Sequence, residues 1–124
     1  MGARRGEDVI HRLREAPPEL WYGGERVKDV TSHPALKNGV QSLARLYDLQ
    51  WEQPEVMLFD SPTTGQKVGR SYLIPHTREE LQSVSRMMKV WADSTFGMMG
   101  RAPDYLNRAM SGYAAGADFL AEAD

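Results

Sequence analysis

The sequence predicts a mainly α-helical domain with a short β-hairpin. Apolar residues recur at spacings of three and four over several stretches, as they do in amphipathic helices. Two apolar runs, residues 56–59 and 68–73, flank a loop that contains proline and glycine, which indicates a hairpin. The chain has 124 residues, 41% of them hydrophobic and 26% charged, so it is long enough and apolar enough for one domain with a core.

In the first half of the chain, residues 7–14 predict a short helix that ends before Pro17 and Pro18. Residues 20–22 are expected to be extended and closed by a glycine pair, and residues 27–30 continue an extended, partly buried segment. A second helix is expected to begin near Pro34. Its apolar residues should face a core: Leu36, Val40, Leu43, Leu46 and Tyr47.

The second half predicts two longer helices. The first has a capping box formed by Thr77 and Glu80, and it ends between residues 94 and 97. Its buried stripe is predicted to be Leu81, Val84, Met88 and Trp91. The next helix follows Pro103 and ends at Gly112 or Gly116, with residues 117–123 as one more turn or a frayed tail. Its inward residues are predicted to be Tyr105, Leu106, Ala109 and Met110.

Charge and composition exclude several classes of protein. Fifteen basic and seventeen acidic side chains give a net charge of -2 without a long basic run, so nucleic acid is not an expected partner. No apolar run is as long as a membrane span, and the N-terminus does not resemble an export signal. The chain has no cysteine, which fits the cytoplasmic location that we expect but does not establish it, and its three histidines match no metal motif, so we expect no metal.

Residues 96–105 combine a cation and a phenol at the start of a predicted helix. Pro103 suits the first helical position, and Asp104 then lies in the first turn, where a negative charge is favoured. Arg101 lies just outside that turn, where the positive end of the helix dipole does not favour a cation. It therefore requires an anionic partner, either Asp104 or a bound ligand.

Two blocks of this sequence resemble a known family. Residues 100–105, Gly-Arg-Ala-Pro-Asp-Tyr, and residues 22–34, Tyr-Gly-Gly-Glu-Arg-Val-Lys-Asp-Val-Thr-Ser-His-Pro, are similar to the N-terminal region of the 4-hydroxyphenylacetate 3-monooxygenase oxygenase components. The resemblance extends from about Leu20 to the end of the chain. Two separate blocks are much more specific than one short motif.

The resemblance implies a fold, a reaction and two site residues. The fold is the N-terminal helical domain of an acyl-CoA dehydrogenase-like flavoprotein. The reaction is hydroxylation of a para-substituted phenol ortho to its hydroxyl, using O2 and FADH2 from a partner flavin reductase. Arg101 and Tyr105 match the family residues that contact the phenol oxygen. Full-length relatives are commonly homo-oligomers.

The resemblance also implies that residues 1–124 are a single partial domain and that the chain is truncated. The flavin-contacting residues are then expected after Asp124, and the isolated chain is expected to be inactive. One alternative is a non-catalytic helical interaction module or an inactive remnant. The other is a protein like 4-hydroxybutyryl-CoA dehydratase, which the absence of cysteine disfavours because that enzyme holds an iron–sulfur cluster.

Overall fold

A computed structural model describes residues 2–98 and 103–122. The chain divides into two compact units, residues 4–52 and residues 1–3 with 53–124. The assignment of residues 1–124 to one partial domain stays a prediction. Within the described ranges, every helix is too short or too polar to cross a membrane.

The unit of residues 4–52 has two helices and a hairpin between them. In chain order its elements are α1 (Gly6–Glu15), β1 (Leu20–Tyr22), β2 (Glu25–Val27) and α2 (Lys37–Glu52). The strands are antiparallel, with Tyr22 opposite Glu25. Gly23 and Gly24 form the turn at φ of 61° and 87°, a conformation that glycine adopts without strain. The sequence predicted extended segments here but not their pairing.

Helix α2 begins three residues later than predicted. The carbonyl oxygen of His33 accepts hydrogen bonds from the backbone N–H groups of Leu36 and Lys37, at 3.0 and 2.9 Å. The segment after Pro34 is therefore a turn that leads into the helix. The helix buries Ala44, Leu46, Leu49 and Gln50, whereas the other predicted stripe residues, Leu36, Val40, Leu43 and Tyr47, are half-buried.

Close packing at Gly6 joins α1 to α2. The Gly6 N–H donates to Asp48 Oδ1 at 2.8 Å. A Cβ atom on Gly6 would lie 2.6 Å from both the Ala44 carbonyl oxygen and Asp48 Oδ2. Only glycine permits this approach, because backbone atoms of α2 cannot move aside cheaply.

Gly6→Ala is therefore expected to lower the free energy of unfolding by about 2 kcal/mol or more. Urea denaturation of the purified chain would measure the loss. Gly39→Ala is the matched control: nothing lies within 4 Å of a Cβ there, so it should be neutral or stabilise by up to about 1 kcal/mol. Equal unfolding midpoints for wild type and Gly6→Ala would contradict the packing.

The unit formed by residues 1–3 and 53–124 holds a second hairpin and the longer helices. Its elements are α3 (Pro54–Met57), β3 (Leu58–Asp60), β4 (Lys67–Gly69), a 3-10 helix (Arg70–Tyr72), α4 (Arg78–Ser94), α5 (Pro103–Ala115) and α6 (Ala117–Ala121). The hairpin predicted between residues 56 and 73 is present as β3 and β4, with Phe59 opposite Val68. Its strands are shorter than predicted, because Pro54 starts a helical turn before β3 and β4 continues directly into the 3-10 helix.

The predicted cap of α4 is confirmed. Thr77 Oγ1 accepts from the Glu80 N–H at 3.1 Å, and Glu80 Oε2 accepts from the Thr77 N–H at 3.2 Å. The predicted stripe is wrong at Leu81 and Met88, which are 55% and 43% exposed. The buried residues are Val84, Met87 and Trp91, because the face that packs inward is rotated from the predicted one by about 45°, half the turn between successive residues.

At the end of α4, a non-glycine residue takes the left-handed conformation. The Gly97 N–H donates to the Ala92 carbonyl at 2.9 Å, and the Phe96 N–H donates to the Asp93 carbonyl at 3.4 Å. These bonds form a Schellman cap, whose left-handed position glycine usually fills. Here Phe96 has a φ of 53°.

Helix α5 begins at Pro103 and ends before Gly116, and α6 provides the further turn. The predicted inward face is wrong: Tyr105, Leu106 and Met110 are 56%, 64% and 65% exposed. Polar residues of α5, with Ser111 the most buried at 7% exposed, face inward instead. The reason is that Asn107 and Arg108 donate hydrogen bonds to Ser71 of the 3-10 helix.

Candidate functional site

Of the two predicted site residues, the structure describes Tyr105, which lies at the start of α5. Tyr105 is the third residue of this helix, and its side chain is half exposed. Arg101 lies outside the described residues. The site is therefore described from the side chains that fix α5, and with it Tyr105, in place.

Three polar side chains, which we call the α5 clamp, fasten this helix: Asn107, Arg108 and Ser111. Asn107 Nδ2 donates to Ser71 Oγ at 2.9 Å. Arg108 Nη1 donates to the carbonyl oxygens of Ser71, at 3.4 Å, and of Leu73. Ser111 Oγ donates to the Asn107 carbonyl of α5 at 2.8 Å and lies 3.5 Å from the Ser71 carbonyl, so it packs against the serine while Asn107 and Arg108 supply the hydrogen bonds. All three side chains thus converge on one buried serine of the 3-10 helix, which is only 1% exposed.

The residue before Ser71 fixes the other side of the 3-10 helix. Arg70 donates to three backbone carbonyls: Nε to Val56 at 2.7 Å, and Nη2 to Glu55 at 3.0 Å and to Leu58 at 2.6 Å. Its Nη1 also donates to Ser83 Oγ of α4 at 3.2 Å. Burial, with a smaller contribution from Arg86, lowers the pKa of Arg70. The guanidinium remains charged at neutral pH, because the ordinary pKa of arginine lies far above neutrality.

The clamp determines which way Tyr105 points. At 3.6 residues per turn, Tyr105 lies on a different side of α5 from Asn107 and Ser111, which face the 3-10 helix. A phenol hydroxyl both donates and accepts hydrogen bonds. The clamp therefore presents an accessible Tyr105 hydroxyl from a helix fixed by its opposite face.

The first block of the family resemblance contains a compact hydrogen-bonded cluster. Asp29 Oδ1 accepts from the backbone N–H and the hydroxyl of Thr31, at 2.8 and 2.7 Å, and Asp29 Oδ2 accepts from Ser32 Oγ at 2.9 Å. Arg14 Nε of α1 donates to Thr31 Oγ1 at 3.0 Å. These hydrogen bonds, those from Thr31 above all, hold the pKa of Asp29 below its usual value. The cluster explains the Asp-Val-Thr-Ser sequence as a folded turn.

The lowered pKa of Asp29 predicts a pH-dependent stability. A carboxylate whose pKa is depressed on folding contributes stability above its unfolded pKa, and this is lost as the pH falls through the folded pKa. We expect Asp29→Asn to lower the melting temperature at neutral pH, and the difference from wild type to shrink below about pH 4. Thermal melts of both chains across this range would test it; a difference independent of pH would contradict it.

Metal-binding arrangements are absent from the described part of the chain, where histidine, cysteine, aspartate and glutamate nowhere form a suitable group of three. His11 is exposed beside Glu15, with Nδ1 to Oε2 at 3.3 Å. His33 Nδ1 accepts from the Ala35 N–H at 3.2 Å. These contacts account for both imidazoles as parts of local structure.

A family model described as 4-hydroxyphenylacetate 3-hydroxylase N terminal matches residues 5–124. The chain belongs to this family. The match begins earlier than the resemblance noted from Leu20 onward, so α1 is also part of the hydroxylase N-terminal region. The 4-hydroxyphenylacetate 3-monooxygenase oxygenase component of Geobacillus sp. (strain PA-9) is 45% identical over 124 residues, which are 100% of this chain and 25% of that protein. The chain thus spans about a quarter of this relative's length.

Solved structures of the hydroxylase family have the same fold. A crystal structure of an oxygenase component of 4-hydroxyphenylacetate 3-monooxygenase, complexed with FAD and 4-hydroxyphenylacetate, aligns with a TM-score of 0.89 at 45% identity. The alignment covers 94% of this chain and 25% of that one. An archaeal 4-hydroxybutyryl-CoA dehydratase from N. maritimus aligns with a TM-score of 0.65 at 30% identity, over 75% and 19% of the two chains. The predicted mainly helical, acyl-CoA dehydrogenase-like fold is confirmed.

Sequence reasoning did not find the residues that position Tyr105. Arg70 follows a short strand with no acidic residue near it in sequence, and its partners are backbone carbonyls, which no side-chain pattern reveals. The clamp had a weak signal, because Asn107 and Ser111 are four residues apart and so lie on one face of a helix. The prediction followed the apolar residues of α5 instead, because apolar side chains usually form the buried face of a helix.

Proposed function

We propose that this chain is the N-terminal part of a flavin-dependent monooxygenase that hydroxylates a para-substituted phenol, such as 4-hydroxyphenylacetate, ortho to its hydroxyl. The observation that carries the proposal is the 45% identity over the whole chain to an oxygenase component of this name, with a fold match to the complex containing FAD and 4-hydroxyphenylacetate. The cofactor is FADH2 supplied by a partner flavin reductase, without a metal. The enzyme is cytoplasmic and homo-oligomeric, and acts without nucleic acid or membrane.

We assign Arg101 and Tyr105 to the phenol oxygen. An arginine keeps its charge at any working pH, so Arg101 stabilises the substrate as phenolate, the form in which the ring is most nucleophilic. Tyr105 donates a hydrogen bond to the same oxygen. The half-exposed position of Tyr105 on a clamped helix supports this role, since the hydroxyl can reach a ligand.

The flavin itself requires residues beyond those described here. The grooves along residues 17–28, 7–14 and 25–34 are open to solvent, and none has the enclosed apolar walls that bury a flavin ring. When bound, reduced flavin with O2 supplies the electrophilic oxygen atom. In this proposal the flavin contacts come from the three quarters of the relatives' length that this chain does not cover, and the isolated chain is inactive.

A chimera tests the proposed function. This chain would replace the equivalent quarter of the Geobacillus oxygenase, to which it aligns end to end. With a flavin reductase, NADH and FAD, the purified chimera should convert 4-hydroxyphenylacetate to the ortho-diphenol. The isolated chain is the control and should not. A chimera that folds and binds FAD but hydroxylates none of a panel of para-substituted phenols would contradict the proposal.

Tyr105→Phe in this chimera should lower kcat/KM for hydroxylation about tenfold, because it removes one hydrogen bond to the phenol oxygen without changing the ring. Tyr22→Phe is the matched control, since Tyr22 is similarly exposed at 54% but lies in β1. Product formation at several substrate concentrations would measure both variants. Equal kcat/KM for the Tyr105→Phe variant and the parent chimera would contradict the hydrogen bond from Tyr105 to the phenol oxygen.

A further inference from the structure

One side of α5 is apolar and exposed. Leu106, Met110 and Tyr113 are 64%, 65% and 65% exposed. They are spaced by four and three residues, which places them on one side of the helix, and we call them the α5 apolar face. The α5 clamp lies on a different side and is already engaged with the 3-10 helix.

The surroundings of this face are uncharged. Between residues 109 and 121 the only charged side chain is Asp118. Phe119 and Leu120 of α6 add two more exposed apolar side chains, at 75% and 50%. An exposed helix in a soluble protein normally carries charged residues on its solvent side, and a contiguous apolar surface marks a binding interface.

We propose that the α5 apolar face is the surface on which the rest of the oxygenase packs. The occupant follows from the relatives: this chain aligns with only 25% of the crystallised oxygenase chain, at a TM-score of 0.89. The other three quarters of such a protein must contact this quarter somewhere. The α5 apolar face is uncharged, and the described part of the chain leaves it uncovered. It therefore provides this contact.

This packing would also complete the site. At 3.6 residues per turn, Tyr105 lies on the side of α5 between the α5 apolar face and Arg108 of the clamp. A body that covers Leu106 and Met110 would form a wall beside the Tyr105 hydroxyl and exclude water from it. The inference rests on the proposed function, because it takes the oxygenase as the occupant.

Leu106→Asp tests the surface in two settings. In the isolated chain it should leave the melting temperature unchanged, because the side chain is mostly exposed. In the Geobacillus chimera it should lower the melting temperature by several degrees, because a charge would be buried at an apolar contact. Leu81→Asp is the matched control: Leu81 is 55% exposed on α4, and both proteins should tolerate the change.

Three results would overturn the inference. Leu106→Asp could leave the melting temperature of the chimera unchanged, or Leu81→Asp could lower that melting temperature as much as Leu106→Asp does. Leu106→Asp could also lower the melting temperature of the isolated chain as much as that of the chimera. Sedimentation of the isolated chain tests the competing occupant. If the isolated chain forms a stable dimer that Leu106→Asp dissociates, and the melting temperature of the chimera does not change, the α5 apolar face binds a second copy instead. Melting temperature does not depend on turnover, so an inactive but folded chimera still tests the surface.

Discussion

Arg101→Ala in the Geobacillus chimera is expected to reduce hydroxylation of 4-hydroxyphenylacetate by about 10²- to 10³-fold while FAD binding stays within a few-fold of the parent. Removing one preorganised charge that stabilises a developing anion typically has an effect of this size. The reduction should appear in kcat/KM, because phenolate stabilisation lowers the barrier for attack by the ring. Single-turnover assays with prereduced enzyme would separate this effect from flavin delivery.

The controls for this prediction address charge and folding. Arg78→Ala removes an exposed arginine at the first residue of α4 and should leave hydroxylation unchanged. Arg101→Lys keeps the charge but loses the planar pair of donors, so its rate should fall between those of Ala and wild type. Near-normal turnover by the Ala variant would end the assignment of Arg101 to the phenol oxygen.

Arg70→Met is expected to lower the free energy of unfolding of the isolated chain by about 3 kcal/mol. The methionine fills part of the same volume, but three carbonyls lose their donor, those of Glu55, Val56 and Leu58. Hydrogen bonds from a charged donor are among the stronger ones, and partly buried carbonyls without a donor are costly. Urea denaturation would measure the change, and circular dichroism would show whether helix content is kept.

Arg86→Met is the control for Arg70→Met. Arg86 is an exposed arginine on α4 whose charge contributes to lowering the pKa of Arg70. Its loss should change stability by no more than about 0.5 kcal/mol. If both variants were equally stable, the contacts of Arg70 with the carbonyls would not hold the unit together.

The longer helices and the second hairpin were predictable because their signals are local, whereas α3 and the 3-10 helix lie in stretches predicted to be extended. The capping box at Thr77 and Glu80 fixed the start of α4 to the residue, and Pro103 fixed the start of α5. The β1 and β2 pairing was missed, although Gly23-Gly24 is a known two-residue turn. Its strands have only three residues each, too few for an alternating pattern.

The orientation of α5 could not be predicted from the sequence. Hydrophobicity favoured Tyr105, Leu106 and Met110 as the inward face. The helix is instead fixed by Asn107 and Arg108, which donate hydrogen bonds to Ser71 and Leu73, 35 to 37 residues away in sequence. Apolar burial is the usual rule for a helix. Helix α5 departs from this rule because its polar side chains satisfy buried backbone carbonyls, while its apolar side stays exposed in the described part of the chain.

The single turn of 3-10 helix is held from two directions, because its Arg70 donates to carbonyls of α3 and β3 while Asn107 and Arg108 of α5 donate to its Ser71. The contacts of α5 within this unit are concentrated there. A substitution at Ser71 would therefore tilt the whole of α5 and displace the Tyr105 hydroxyl without touching any ligand. Under the role proposed for Tyr105, substrate preference would then change through residues that never contact the substrate, such as those that set the tilt of one helix.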